Sequence, residues 1–499
     1  MGRTQRPTLL RGPPCSALTP TNGAQYDIHW KTRQLMTLLN RSALRLRRAK
    51  SPEEDNRIAH LDKISFLGLR SCGYREIIQF TWIYNRPIDI AALRRFHQNL
   101  GYGLLGRRIE RSPIPFARDR WVLARAPLGI DIASSQRSRA DVGAWTDELA
   151  RLPIDPERGP SWHLGVLPLK GNCTAISLVA SHTVADAVGM SLAVADASEG
   201  RRRDLGYPLP GSRSRAAALI EDGRSTIASM PEMARALADT LQLFRHRHRR
   251  QTLPSPAATT VPPPRTSDDE QPAPIVGLTV YIDLAQWDSR AETLGGTSNS
   301  LLAGVAARLG ERLGRVAGDG TATLFCPVNE RTEDDTRGNA LTYAVATVDP
   351  TCAAQDLAEV RFRIKQALVE LATNPNGSLA LLPLASMIPN WLSRRLVGLW
   401  PGSGATVIGC SNVGELDPAV NRPDGTDADY LSIRLVWDGT PTSTMDLMGG
   451  KLFLLSGRVN GKVSVAITAC LGDQGISKDE LAAAVLGTFD EFQLNPEIE

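Results

Sequence analysis

Only seven histidines occur among the 499 residues, and one of them, His182, has a carboxylate four residues on, in the segment Ser181-His182-Thr183-Val184-Ala185-Asp186. An imidazole suits general-base work because its ordinary pKa of about 6.5 leaves it mostly neutral near pH 7, ready to take a proton from a hydroxyl or amine that attacks a carbonyl. His182 follows the apolar run Thr174 to Ala180, which reads as a strand, and Asp186 falls where a helix from about Ala185 to Ala197 begins. A side chain at such a junction projects into a cleft, where a base must stand to reach a substrate proton. Taken alone, the same spacing fits a core histidine beside an acidic helix cap, since Asp is favoured in a first helical turn. The seven cysteines, Cys15, Cys72, Cys173, Cys326, Cys352, Cys410 and Cys470, stand singly without metal-ligand spacing, so no metal site is expected and a reducing, cytoplasmic compartment fits best.

The elements that must position His182 alternate between strands and helices. Glu76 to Tyr84 and Trp121 to Arg125 are strand-like, and Asp89 can cap a helix in which Ile90, Leu93, Phe96 and Leu100 recur at helical spacing. A long helical pattern runs from about Ala216 to Gln251 and ends in Arg245-His246-Arg247-His248-Arg249-Arg250. Thr252 to Pro274 then holds seven prolines, a composition that cannot pack a core and reads as a linker. Beyond it, Val276 to Ile282, Ala322 to Cys326 and Tyr343 to Val348 read as strands, and Ser298 to Leu313 and Lys478 to Phe492 as helices. Lys451 to Val459 and Lys462 to Thr468 form a hairpin about Asn460-Gly461, a strong turn signal.

The net charge of +4 is small for this length and the hydrophobic content of 42% is that of a globular chain. Met1 to Lys50 nevertheless carries ten Arg and Lys against Asp27 alone, and Lys31 to Arg48 mixes them with leucines in a pattern able to lie on an anionic membrane surface. The apolar stretch Leu379 to Trp400 is interrupted by Pro383 and Pro389 and carries Arg394 and Arg395, which excludes a spanning helix. No nucleic-acid reader motif accompanies the basic residues, so nucleic acid is not an expected partner.

The flanks of the histidine motif carry a resemblance. Leu152-Pro153-Ile154-Asp155, Gly159-Pro160-Ser161-Trp162 and then His182 to Asp186 are followed by Thr297-Ser298-Asn299, Pro327-Val328-Asn329-Glu330-Arg331, Gly338-Asn339 and Ser411-Asn412-Val413-Gly414-Glu415-Leu416. In that order the chain, over roughly Leu61 to Phe492, resembles the CoA-dependent acyltransferase superfamily. That superfamily includes condensation domains of peptide synthetases, polyketide-associated acyltransferases and wax ester synthase/diacylglycerol acyltransferases. The family motif is HHxxxDG, whereas Ser181 stands at its first histidine and Ala187 at its glycine.

The resemblance implies an α/β (α+β) fold of two chloramphenicol-acetyltransferase-like domains, each a mixed sheet with flanking helices, with a tunnel at their interface. Residues 1–55 are then a basic extension, 56–210 an N-terminal domain bearing the motif, 211–274 a helix and linker, and 275–499 the C-terminal domain. It implies transfer of an acyl group from a CoA or carrier-protein thioester to a hydroxyl acceptor of the lipidic kind, with His182 as base and no cofactor beyond that co-substrate. Asp186 is expected to face away from substrate and pair with Arg331, Ser181 to support the site, and Asn412, Ser411 and Asn329 to line it. An acyl carrier protein and a peripheral membrane contact at the inner surface are expected among the partners. The alternatives are an amine acceptor, or a degenerate relative that binds a lipid, an acyl carrier or a partner without turnover.

Overall fold

The computed structural model describes residues 56–499 apart from 116, 125–128, 251–270, 374–381, 386–402, 405 and 472–474. The basic segment Lys31 to Arg48, most of the Pro-rich stretch and most of Leu379 to Trp400 lie outside the described residues. Among the described residues no helix is long and apolar enough to cross a membrane.

In chain order the strands are β1 (Ile77–Tyr84), β2 (Arg107–Glu110), β3 (Arg120–Leu123), β4 (Asp131–Ile132), β5 (Trp162–Leu169), β6 (Cys173–Ser181), β7 (Val276–Asp283), β8 (Ala322–Asn329), β9 (Leu341–Val348), β10 (Val407–Glu415), β11 (Tyr430–Val436), β12 (Lys451–Val459), β13 (Lys462–Cys470) and β14 (Glu497–Ile498). The helices that bear on the site are α1 (His60–Cys72), α2 (Ile90–Leu100), α3 (Val142–Ala150), α4 (Ala187–Ser198), α5 (Arg215–Arg250), α6 (Ser298–Arg312), α7 (Thr442–Leu447) and α8 (Lys478–Glu491). A five-stranded sheet has the order β11-β1-β6-β5-β4 and a seven-stranded sheet the order β14-β7-β13-β12-β10-β8-β9, with β2 and β3 paired separately. Both large sheets belong to one compact unit, Lys50–Glu499.

Local chemistry explains why the elements begin and end where they do. Asp89 accepts from the amides of Ala91 and Ala92 to start α2, and Thr297 and Ser300 form a capping box at the start of α6. Asn460 and Gly461 both take positive φ, as a two-residue hairpin of this kind requires, and Val459 pairs with Lys462 across it. The central strands β1 and β6 are buried almost throughout because helices cover both faces, Leu93, Phe96 and Met190 on one and Val142, Trp145 and Leu149 on the other. One core gathers Phe80, Trp82, Leu93, Phe96 and Trp162 with Leu431, Ile433 and Trp437, so residues from both ends of the chain share it. A second core lies among Trp287, Leu301, Leu302, Leu454, Ile467 and Phe489 under the larger sheet.

The sequence order conceals one connection. Strand β11, from the C-terminal part of the chain, hydrogen-bonds not to the larger sheet but to the edge of the smaller one, antiparallel to β1. Its register sets Val436 opposite Ile77, while β6 sets Ser181 opposite the same residue. The next position on each strand is therefore Trp437, Glu76 and His182, three side-by-side chain ends at one rim of the smaller sheet.

Candidate functional site

That rim faces the larger sheet across a cavity of about 130 Å³. Its wall takes Leu61, Ile64 and Ser65 from α1 and Tyr74, Glu76, His182, Leu435 and Trp437 from the smaller sheet's rim. Phe325, Tyr343, Gly409, Lys451 and Phe453 are among the residues that the larger sheet supplies. Trp437 and Phe453 meet edge to face at 5.9 Å, a direct aromatic contact between the lobes. Gly409 is needed where it stands: a Cβ there would come within 2.0 Å of the Phe453 ring.

His182 is held by its backbone rather than its ring. Its amide donates to Glu76 O at 3.0 Å, and its carbonyl accepts from Asn339 Nδ2 at 3.0 Å. The same Asn339 amide group donates to Asp62 Oδ1 at 2.9 Å, and Asp62 also receives the backbone amides of Gly338 and Asn339. Asp62 is fully buried, and burial raises its carboxyl above the usual range against the opposing pull of Arg107 and these hydrogen bonds. The chain approaches so closely that a Cβ on Gly338 would lie 2.5 Å from Thr183 O. The ring of His182 is thus left to the cavity while the loop beneath it is pinned from three elements.

Asp186 turns away from the cavity. It caps α4 through Gly189 N at 2.7 Å and accepts from Ala340 N and from Arg331 Nη2, each at 2.9 Å. Both partners of the ion pair are 1% exposed. The Nη1 and Nη2 groups of Arg331 also donate to the carbonyls of Asp335, Arg337 and Gly338, closing the loop that carries Asn339. Arg107, wholly buried over Trp121 at 4.0 Å, joins the same two loops by donating to Val184 O and Thr336 O. A buried guanidinium whose terminal nitrogens are bound to carbonyls and one carboxylate acts as a structural clamp, although the Nε of Arg331 and of Arg107 has no partner among the described residues.

The remaining expected residues are placed as follows. Ser181 is buried in the β1–β6 ladder with its amide on Ser161 O, one residue short of the cavity wall. Ala187 opens α4 and is not among the residues with positive φ, so the alanine meets no backbone strain. Ser411, Asn412 and Asn329 do not join the described lining. On β10, Val407 and Gly409 reach the cavity, and Ser411, the next residue on that face, lies past its end. The Asn412 amide donates to Asn299 Oδ1 while its Oδ1 accepts from Gly414 N. Asn329 receives the Arg331 amide at 3.1 Å and so shapes the turn after β8.

Several lining residues carried no signal in the sequence. Glu76 accepts from Trp437 Nε1 at 3.3 Å, and burial pushes the neighbouring Tyr74 phenol well up. Tyr343 is likewise raised by burial. Lys451 is pushed down to about 8 by burial, with Glu76 opposing the shift and Arg315 adding to it. Only the register of three strands could have exposed Glu76 and Trp437 as neighbours of His182.

No protein-family model matches the chain, and no curated protein does. Solved structures do. The first condensation domain of the calcium-dependent antibiotic synthetase, in complex with substrate analogue 2a, is similar at a TM-score of 0.52 and 16% identity, covering 87% of this chain and 95% of that one. The same domain with substrate analogue 3a gives 0.52 and 14%, covering 89% and 100%. A further structure of that domain gives 0.52 and 13%, with the same 89% and 100% coverage. The likeness extends over both lobes and establishes the fold: mixed sheets with flanking helices, in the two-lobed arrangement of a condensation domain.

Proposed function

We propose that the chain is an acyltransferase that uses His182 as general base to move an acyl group from a CoA or carrier-protein thioester to a hydroxyl acceptor. One observation carries the reading: the His182 ring lines a cavity walled by both lobes, while its backbone is fixed by Glu76 O and Asn339 Nδ2. The two-lobed condensation-domain fold supports it.

The steps follow from the chemistry. A ring nitrogen of His182 takes the acceptor's proton as its oxygen attacks the thioester carbonyl, forming a C–O bond and a tetrahedral oxyanion. Collapse breaks the C–S bond, and the imidazolium returns its proton to the leaving thiolate. Asp186 takes no part in this transfer; with Arg331 it keeps the loop in place. A cavity of about 130 Å³ has the size that accommodates a benzene-like group, so small acceptors suit it better than a long-chain lipid lodged entirely within it. Ser181, in place of the family's first histidine, favours a second reading in which the fold binds such a thioester without turnover.

Incubation with a panel of short acyl-CoA and acyl-pantetheine thioesters and small alcohols and amines, followed by mass spectrometry, tests the reading. Acylated alcohol formed only with enzyme and thioester together supports it. Thioester binding without any acylated product, alcohol or amine, favours the second reading and removes the first.

A further inference from the structure

The 36-residue helix α5 rests on the fold by one face and shows a second, apolar face to solvent. The inner face is fixed by Asp222, which is wholly buried and accepts from Ser112 Oγ at 2.6 Å, Arg213 Nη1 at 2.8 Å and Arg57 Nη1 at 3.1 Å. Ala218 and Ala236 are buried on the same side. Leu219, Ile220, Ile227, Met230 and Leu237 are instead 49–68% exposed. At about 100° per residue these five fall within one arc of about 100°, turned away from the anchored face. With exposed Ala216 and Ala234 in the same arc, they make an apolar stripe that runs about 27 Å from Leu219 to Leu237. The other acids of this segment keep out of it: Glu221 pairs with Arg213, and Glu232 lies 4.0 Å from His60 Nε2. Exposed Arg224 and Arg235 stand along the stripe's edge. Beyond Leu237 the helix continues to Arg250, and its last six residues, Arg245 to Arg250, are all Arg or His. An exposed apolar strip of this length marks a surface that something else covers, and the charges beside it indicate what. A second copy of the helix would set arginines beside arginines. Lipid phosphates would meet them, with the arginine stems along the acyl boundary and the guanidinium heads among the headgroups.

We propose that α5 is a lipid-docking surface: the stripe from Leu219 to Leu237 enters the headgroup boundary of an anionic bilayer, and Arg224 and Arg235 contact lipid phosphates. The helix lies in the plane of the membrane surface, its Asp222 face holding the fold and its apolar face holding the lipid. This role is independent of His182 and of the reaction it performs.

Flotation of the full chain with vesicles of phosphatidylcholine alone, and of phosphatidylcholine mixed with phosphatidylglycerol, at low and high salt, tests this. Binding to the anionic vesicles is expected to be roughly tenfold or more tighter than to the neutral ones and to weaken as salt rises. Ile227→Gln with Met230→Gln should lower the partition coefficient on anionic vesicles roughly tenfold or more. Arg224→Gln with Arg235→Gln should lower it by about as much on anionic vesicles and leave it unchanged on neutral ones. All four side chains are exposed, so circular dichroism of both double variants should match the parent's. The basic segment Met1 to Lys50 is intact in every protein compared, so any lipid contact of its own is common to all. A parent chain that stays in the aqueous fraction with both kinds of vesicle overturns the proposal. So do double variants that float as the parent does, the result expected if Met1 to Lys50 alone met the lipid. Sedimentation velocity without lipid covers the remaining occupant: a dimer of the parent that Ile227→Gln with Met230→Gln dissolves would assign the stripe to a second copy and overturn the proposal, whereas a sedimentation coefficient independent of concentration agrees with it.

Discussion

Replacing Asp186 by alanine should destabilise the fold far more than an ordinary polar substitution. The carboxylate is 1% exposed and satisfies three donors: Arg331 Nη2, Ala340 N and Gly189 N. Its loss leaves a buried guanidinium without a counter-charge, at about 3–5 kcal/mol for breaking one side of a buried pair. Loss of the α4 cap adds about 1 kcal/mol. Against this, Arg331 keeps its three carbonyl partners, Asp335, Arg337 and Gly338, which soften the penalty. A net cost of about 3–5 kcal/mol follows, since such terms do not simply add. Arg331→Met in the same chain removes the stranded charge, so the double variant should recover about 1–3 kcal/mol relative to the sum of the single changes. Urea unfolding followed by both tryptophan fluorescence and circular dichroism measures this, with coincident transitions as the condition for converting midpoints to free energies. An Asp186→Ala protein within about 1 kcal/mol of the parent, or a double variant showing no coupling, would refute the clamp.

Other consequences are as direct. Asn339→Ala removes the donor to His182 O and one of those to Asp62, so it should cost about 1–3 kcal/mol and lower acyl transfer even where the protein remains folded; unfolding and rate measurements on one preparation check both. Gly409→Ala forces a Cβ into the Phe453 ring, so thermal unfolding should reveal a loss of about 1–3 kcal/mol, with weaker binding of any ligand in the cavity. Lys451 has a folded pKa of about 8 against an ordinary 10.5, so between these values the unfolded chain holds a proton that the folded chain does not. Stability must then rise with pH across that window, by roughly 3 kcal/mol in total, in the parent relative to Lys451→Met. Equal pH dependence of the two proteins would remove the buried ammonium from the account.

What the sequence disclosed was what is local. The Asn460-Gly461 hairpin, the Asp89 cap and the strand-to-helix junction at His182 each depend on a few neighbouring residues, and each has the structure its chemistry dictates. Strand β5 has no clear strand pattern in the sequence because Gly165 and Pro168 interrupt it; in the fold, Gly165 admits the side chain of Leu149, and a Cβ there would lie 2.8 Å from it. Strand β11 has no local sign of its partner, since Val436 and Ile77 are brought together only by the packing of the whole chain. The same is true of the site. His182 and Asp186 are four residues apart and could be read together, whereas Asp186 and Arg331 are 145 apart, and their association came from the order of motifs. Glu76, Trp437 and Lys451 lacked even that, because a charge or an indole at a strand end looks like ordinary surface or core until the register is known. Asn412 illustrates the converse: a residue that the motif resemblance assigns to the site, whose amide instead donates to Asn299.

The central claim is that His182 accepts the acceptor's proton. Its most direct measurement is the rate of acyl transfer in His182→Ala, with a thioester and alcohol that the parent chain uses and with circular dichroism matched to the parent. A fall of about 10²–10⁴-fold is expected, the usual contribution of a positioned base. A His182→Ala protein that transfers the acyl group at the parental rate would contradict it.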